Sequence, residues 1–142
     1  MDARSGYFAM KRILVVDDDR QIVQLLRITL EKAGFSVVGA GNGSEALATC
    51  QQQTFDLMIC DIIMPEKGGV ETINEIRRRR PDVKVIAISG GGVVPSDLYL
   101  RAVQLLGADR TFPKPFQPTQ IVNAVRDLLG EPRKRATAAV AR

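Results

Sequence analysis

The chain contains no histidine in 142 residues. That absence removes imidazole metal sites, histidine-based catalytic triads and any role as a phosphohistidine donor. Cysteine is scarce as well, with Cys50 and Cys60 alone. Two cysteines in a chain of this class do not make a disulfide framework, so both are expected to pack as small apolar residues. No apolar run approaches the roughly 20 residues that a membrane-spanning helix needs. The first residues also lack the apolar segment of a secretory signal, so a cytoplasmic location is expected, with no membrane partner.

What is present is ordinary for a globular protein. Hydrophobic residues make up 45% and charged residues 25%, enough for one domain with a real core. The net charge of +4 hints at nucleic acid, but its distribution argues otherwise. From Glu131 onward four cations (Arg133, Lys134, Arg135 and Arg142) face one acid, which leaves the rest of the chain nearly neutral. A short basic tail can touch phosphates weakly, yet it is too short for a recognisable DNA-binding domain. Nucleic acid is therefore not expected as a partner. The run Arg77 to Arg80 reads mainly as a solvated helix end, where cations are favoured.

Two kinds of segment alternate along the chain. Apolar, β-rich runs occupy residues 12–16, 35–39, 57–60, 83–88 and, more weakly, 110–112. Helical periodicity lies between them. Ile22, Leu26, Thr29, Leu30 and Ala33 recur at three- and four-residue steps, and Gly34 then supplies a helix stop. Asn42-Gly43-Ser44-Glu45 offers a cap followed by an acid three residues on. Val70, Ile73 and Ile76 mark a third helix. Leu98, Ala102 and Leu105 mark a fourth, and Ile121, Val125 and Leu128 a fifth, with Pro118 suited to its first turn. Alternating strands and helices imply a doubly wound (βα)5 three-layer sandwich around a parallel five-stranded sheet. Residues 11–130 form this domain. Residues 1–10 and 131–142 are expected to be flexible flanks.

Two apolar strands end on carboxylates. The first runs into Asp17-Asp18-Asp19 and the third into Asp61. In a doubly wound fold the site lies at the carboxyl edge of the sheet, and Asp17, Asp18, Asp61, Ser89 and Lys114 all fall just past strand ends. Such a cluster of acids repels itself unless a cation joins it. Each residue also has a plain reading. Asp17 to Asp19 can cap a helix, Asp61 can be a loop acid and Ser89 can open a turn with Gly90. Lys114 resists that reading, because a lysine between Pro113 and Pro115 in an apolar setting is costly without a partner.

Taken together, Asp17-Asp18, Asp61-x-x-Met64-Pro65, Ser89-Gly90 and Lys114-Pro115-Phe116 resemble the receiver domain of bacterial two-component response regulators, of the single-domain, chemotaxis-regulator-like kind. The resemblance implies a flavodoxin-like strand order 2-1-3-4-5. It implies that Asp61 accepts a phosphoryl group and that Asp17, Asp18, Asp61 and the carbonyl of Ile63 hold Mg²⁺. Lys114 then pairs with the carboxylate and afterwards with the phosphoryl group, and Ser89 donates its hydroxyl to it. Expected partners are a sensor histidine kinase or phosphotransfer protein, and a downstream protein docking on the fourth-helix and fifth-strand face at Tyr99, Val103 and Leu106. A cis bond before Pro115 is also expected. The pattern is broken at Thr111, where the family usually places an aromatic switch residue. Phe112 should point to the opposite face. Gly90-Gly91-Gly92 should give the adjoining loop wide backbone freedom.

Three other classes compete. A haloacid-dehalogenase-type phosphatase would need Asp-x-Asp-x-Thr after the first strand, but Asp17-Asp18-Asp19-Arg20-Gln21 ends on glutamine. A flavodoxin-like nucleotide binder would need a Gly/Ser/Thr-rich phosphate loop where the triple acid stands. The chain could also be the receiver portion of a longer transcriptional regulator, with its tail opening a linker.

Overall fold

The computed structural model describes residues 10–64, 68–90, 101, 102, 104, 105 and 107–130. The elements bounded within the described residues are, in chain order, β1 (Arg12–Val16), α1 (Arg20–Lys32), β2 (Ser36–Ala40), α2 (Gly43–Gln52), β3 (Leu57–Asp61), α3 (Gly69–Arg79), β4 (Lys84–Ser89), β5 (Arg110–Pro113) and α4 (Pro118–Leu129). All five strands are parallel, in the order β2-β1-β3-β4-β5. The expected fold class and strand order are both observed.

Sequence chemistry explains the element ends. Asp19 caps α1, its side chain accepting from the Gln21 amide at 2.9 Å. Ala33 closes the helix, and Gly34 follows at φ 101°, a left-handed turn that favours glycine. Asn42 caps α2 through the Glu45 amide, while Glu45 reaches back to the Gly41 amide at 2.8 Å. Pro118 occupies the first turn of α4, where its missing N–H costs nothing.

The sheet divides the core in two, because successive strand residues face opposite ways. Leu14, Val16, Met58, Cys60, Val85 and Ala87 face α2 and α3, meeting Ala46, Cys50, Ile73 and Ile76. Ile13, Val15, Leu57, Ile59, Ile86 and Ile88 face α1 and α4, meeting Leu26, Leu30, Ile121 and Val125. Each fully buried side chain of this size contributes about 1.5–3 kcal/mol. Cys50 and Cys60 are free thiols inside the first cluster, as expected.

Two strands, β2 and β4, lie one residue later than the apolar runs suggest, and β3 and β5 start as expected but end one residue later. Phe35 is the clearest case. Its side chain is buried, but its amide donates to Leu30 O at 3.1 Å and so belongs to the end of α1. The ladder with β1 begins at Ser36. Phe112 packs against the α1–α4 side of the core, as expected for a residue facing away from Thr111. The periodicity of the fourth helix allows Leu98, Ala102 and Leu105 to face the core, but Ala102 is exposed and Leu105 is 89% exposed, while Leu98 lies outside the described residues. The segment carries two apolar stripes, and helical period alone cannot choose which one meets the sheet. The stripe of Tyr99, Val103 and Leu106 lies outside the described residues, as do Pro65, Gly91, Gly92 and both chain flanks.

Candidate functional site

The carboxyl ends of β1, β3, β4 and β5 meet at one edge of the sheet. Asp17 follows β1, Asp61 ends β3, Ser89 ends β4, and Lys114 follows β5. Lys114 is the centre of the arrangement. Its Nζ lies 2.9 Å from Asp17 Oδ2 and 3.2 Å from Asp61 Oδ2. The second oxygen of each acid accepts a backbone amide: Asp19 N on Asp17 Oδ1 at 2.9 Å, and Ile63 N on Asp61 Oδ1 at 3.1 Å. Asp17 and Asp61 are both buried, whereas Asp18 is exposed beside them.

The backbone holds these side chains through the sheet itself. The Asp17 amide donates to Ala40 O at 3.1 Å, and the Ile62 amide donates to Ile88 O at 2.9 Å. The Lys114 amide donates to Ser89 O at 2.7 Å, so lysine and serine are tied main chain to main chain. The Lys114–Pro115 bond is cis, as expected.

Burial pushes the Asp61 carboxyl above its ordinary range, and the Asp17 charge adds to this; the Ile63 amide and Lys114 pull the other way. Burial works against the Lys114 charge, but the hydrogen bond and charge of Asp17, then Asp61, outweigh it and hold the ammonium above its ordinary range. Burial, with Asp61 and Asp17 nearby, also drives the Cys60 thiol strongly upward, which keeps it neutral and unreactive. Ser89 is fully buried, and its Oγ has no hydrogen-bond partner among the described residues. A buried hydroxyl left without a partner costs about 1–3 kcal/mol, which is unusual outside a functional site.

Asp17, Asp18 and Asp61 each offer an oxygen within 4.8 Å of the others. Three carboxylates and one ammonium leave the cluster at net −2, the charge that one divalent cation neutralises. The all-oxygen donor set suits Mg²⁺. The structure thus brings Asp17, Asp18, Asp61 and Lys114 together and puts Ser89 on the neighbouring strand end. Ile63 follows directly, with its amide on Asp61 and its side chain 40% exposed. Sequence reasoning treated helix capping and site formation as alternatives for the three acids. They are combined: Asp19 caps α1 while Asp17 holds the Asp19 amide and faces Lys114.

A doubly wound sheet with buried acids and a bridging lysine at its carboxyl edge defines a phosphoacceptor-type receiver fold. Comparison with known proteins agrees. The response regulator receiver domain family matches residues 13–126, and the chain belongs to that family. It is 36% identical over 120 residues to the transcriptional regulatory protein CpxR of Klebsiella pneumoniae, covering 84% of this chain and 50% of that protein. It thus spans about half the length of the first curated relatives it matches. The chemotaxis protein CheY of Thermotoga maritima is 36% identical over 116 residues, 81% of this chain and 94% of that one. Among solved structures, the response regulator TrrA of Thermotoga maritima, in complex with Mg²⁺-BeF, overlays with a TM-score of 0.73 at 38% identity, covering 84% of this chain and 100% of that one. Receiver domains are signalling switches rather than metabolic enzymes. No described helix is long and apolar enough to cross a membrane.

Proposed function

We propose that this chain is a stand-alone response regulator receiver, its domain spanning residues 11–130, that takes a phosphoryl group onto Asp61. The observation that carries the reading is Lys114 bridging two buried carboxylates at the strand tips. The chain acts in the cytoplasm, and the donor is a sensor histidine kinase or a phosphotransfer protein. The carboxylate oxygen of Asp61 forms a bond to phosphorus as the donor's bond to phosphorus breaks, and the electron pair leaves with the donor. Lys114 holds Asp61 ionised and aimed, and then follows the transferred group. The Ser89 hydroxyl, without a partner among the described residues, donates to a phosphoryl oxygen after transfer. Fixed donors of this kind supply the charge stabilisation that phosphoryl transfer needs. Asp17, Asp18, Asp61 and the Ile63 carbonyl would hold Mg²⁺. When bound, the ion neutralises the incoming phosphoryl charge. The Mg²⁺-BeF complex of TrrA supports this assignment.

The signal leaves through protein–protein binding or onward phosphorelay. With Thr111 at the usual aromatic position, it runs through the loop after Ser89 and the helix leading to Gly107. The downstream partner docks at Tyr99, Val103 and Leu106. The half-length match to CpxR favours one second reading, a receiver portion of a longer transcriptional regulator. The test of the main reading is intact mass spectrometry after incubation with acetyl phosphate, with and without Mg²⁺. One phosphoryl group should appear only with Mg²⁺ and be absent in Asp61→Asn. Wild-type protein that binds Mg²⁺ but gains nothing from either acetyl phosphate or a phosphorylated donor protein would refute it.

A further inference from the structure

Gly69 opens α3 directly beneath the phosphoacceptor loop and is buried there. A side chain at this position meets backbone, which cannot rotate away. A Cβ built on Gly69 would lie 2.9 Å from Asp61 C, and nearer still to Asp61 O and Ile62 Cα, inside the 3.0 Å that real Cβ atoms keep. Its amide donates to Ile62 O at 3.3 Å. The residue before it is different. Gly68 has φ −71°, which any residue adopts, and the nearest atom to its Cβ is the flexible end of Glu71 at 3.9 Å.

We propose that Gly69 is a positioning residue of this site: its missing side chain lets the first turn of α3 rest on the Asp61–Ile62 peptide, which sets the direction of the Asp61 carboxylate and the Ile63 backbone. The inference rests on the phosphoacceptor reading of Asp61. The geometry is a chain of three supports. Ile88 O fixes the Ile62 amide from β4, the Ile63 amide fixes Asp61 Oδ1, and Gly69 fixes the intervening peptide from behind. α3 is itself anchored, since Thr72 is fully buried and its hydroxyl donates to Gly68 O at 2.9 Å. Restoring an ordinary 3.4 Å contact around a Cβ would displace the Asp61–Ile62 peptide by roughly 1 Å.

Gly69→Ala tests this, with Gly68→Ala and Ile76→Val as controls. Ile76→Val weakens the packing of the same helix without touching Asp61. A shift of that size at a reacting group costs on the order of 100-fold in rate. Gly69→Ala is therefore expected to slow phosphoryl gain from acetyl phosphate by about that factor and to weaken Mg²⁺ binding, while both controls keep wild-type values. Folded Gly69→Ala at the wild-type rate and Mg²⁺ affinity would overturn the proposal. If Gly69→Ala does not fold, an NMR titration of wild-type protein with Mg²⁺ decides. The Gly69 amide should shift in step with that of Ile63, and a Gly69 amide that stays still while Ile63 moves overturns the proposal. Wild-type protein that takes no phosphoryl group would sink the functional reading instead, and the Mg²⁺ titration would still judge the role of Gly69.

Discussion

Lys114→Met removes the one cation among the described residues that pairs with both buried acids. The variant keeps the length and apolar stem of the side chain, so the change is close to pure charge. Asp17 and Asp61 have relative side-chain exposures of only 2% and 5%, and neither can turn to water without disrupting a backbone hydrogen bond. Breaking a buried pair from one side costs about 3–5 kcal/mol. Lys114 retains 22% exposure, so solvent screening places the expected loss near the low end, about 3 kcal/mol. For a domain of this size that corresponds to a melting temperature about 10 °C lower. The assay is thermal unfolding in EDTA across pH. The folded Lys114 pKa lies above its ordinary range, so its contribution is fully present below that ordinary range and is lost as pH rises through the folded value. Asp61 is also raised, so the fold binds its proton more tightly than the unfolded chain does, and stability falls as pH rises through its folded value. The deficit of Lys114→Met should therefore be largest near neutral pH and shrink in acid, where the carboxyl is neutral and needs no cation. Added Mg²⁺ should restore much of it. A variant that melts with wild-type protein at neutral pH in EDTA, or a deficit that does not change with pH, would refute the electrostatic account.

The same reasoning makes Asp61→Asn more stable than wild type near neutral pH, with the gap closing as pH falls through the carboxyl titration; parallel melts over pH check this. Mg²⁺ at 100 times its dissociation constant should stabilise wild-type protein by about 2.7 kcal/mol, and Asp18→Ala should lose most of that shift while unfolding like wild type in EDTA. Ser89→Ala removes a buried hydroxyl that has no partner among the described residues and is expected to raise stability by about 1 kcal/mol, while slowing phosphoryl gain by about 100-fold. Chemical denaturation and mass spectrometry read the two effects separately. Arg77→Leu strips hydrogen bonds from Val83 O and Gly107 O and an ion pair from Asp109, and should cost about 2 kcal/mol in a urea melt.

The sheet and the acids were legible because both are local signals. A strand buried on two faces reads as an unbroken apolar run, and an acid placed straight after it reads as an edge carboxylate. Helix caps such as Asn42 and Pro118 are equally local. What stayed hidden depends on contacts between distant segments. The run Arg77 to Arg80 reads as uniformly solvated, yet it divides: Arg78 and Arg79 are exposed, while Arg77 reaches Gly107 and Asp109, and Arg80 donates to Cys50 O at 2.6 Å. Nothing in four identical residues distinguishes them; the pitch of α3 does. Gly69 is likewise one of two adjacent glycines, and only the proximity of β3 shows which one must lack a side chain. The orientation of the segment at Ala102 and Leu105 was ambiguous for a different reason, since two apolar stripes compete for one sheet.

Lys114, the one cation of the cluster among the described residues, follows β5, whereas the acids follow β1 and end β3. Protein synthesis therefore delivers the negative charges well before the residue that balances them. A nascent chain can pair β1 with β2 and β3 early, but its strand tips then carry mutual repulsion and no lysine. β5 must also pair with β4 before Lys114 reaches Asp17 and Asp61. Chains broken off before that point would hold most of the sheet and the acids, but not the lysine that balances them.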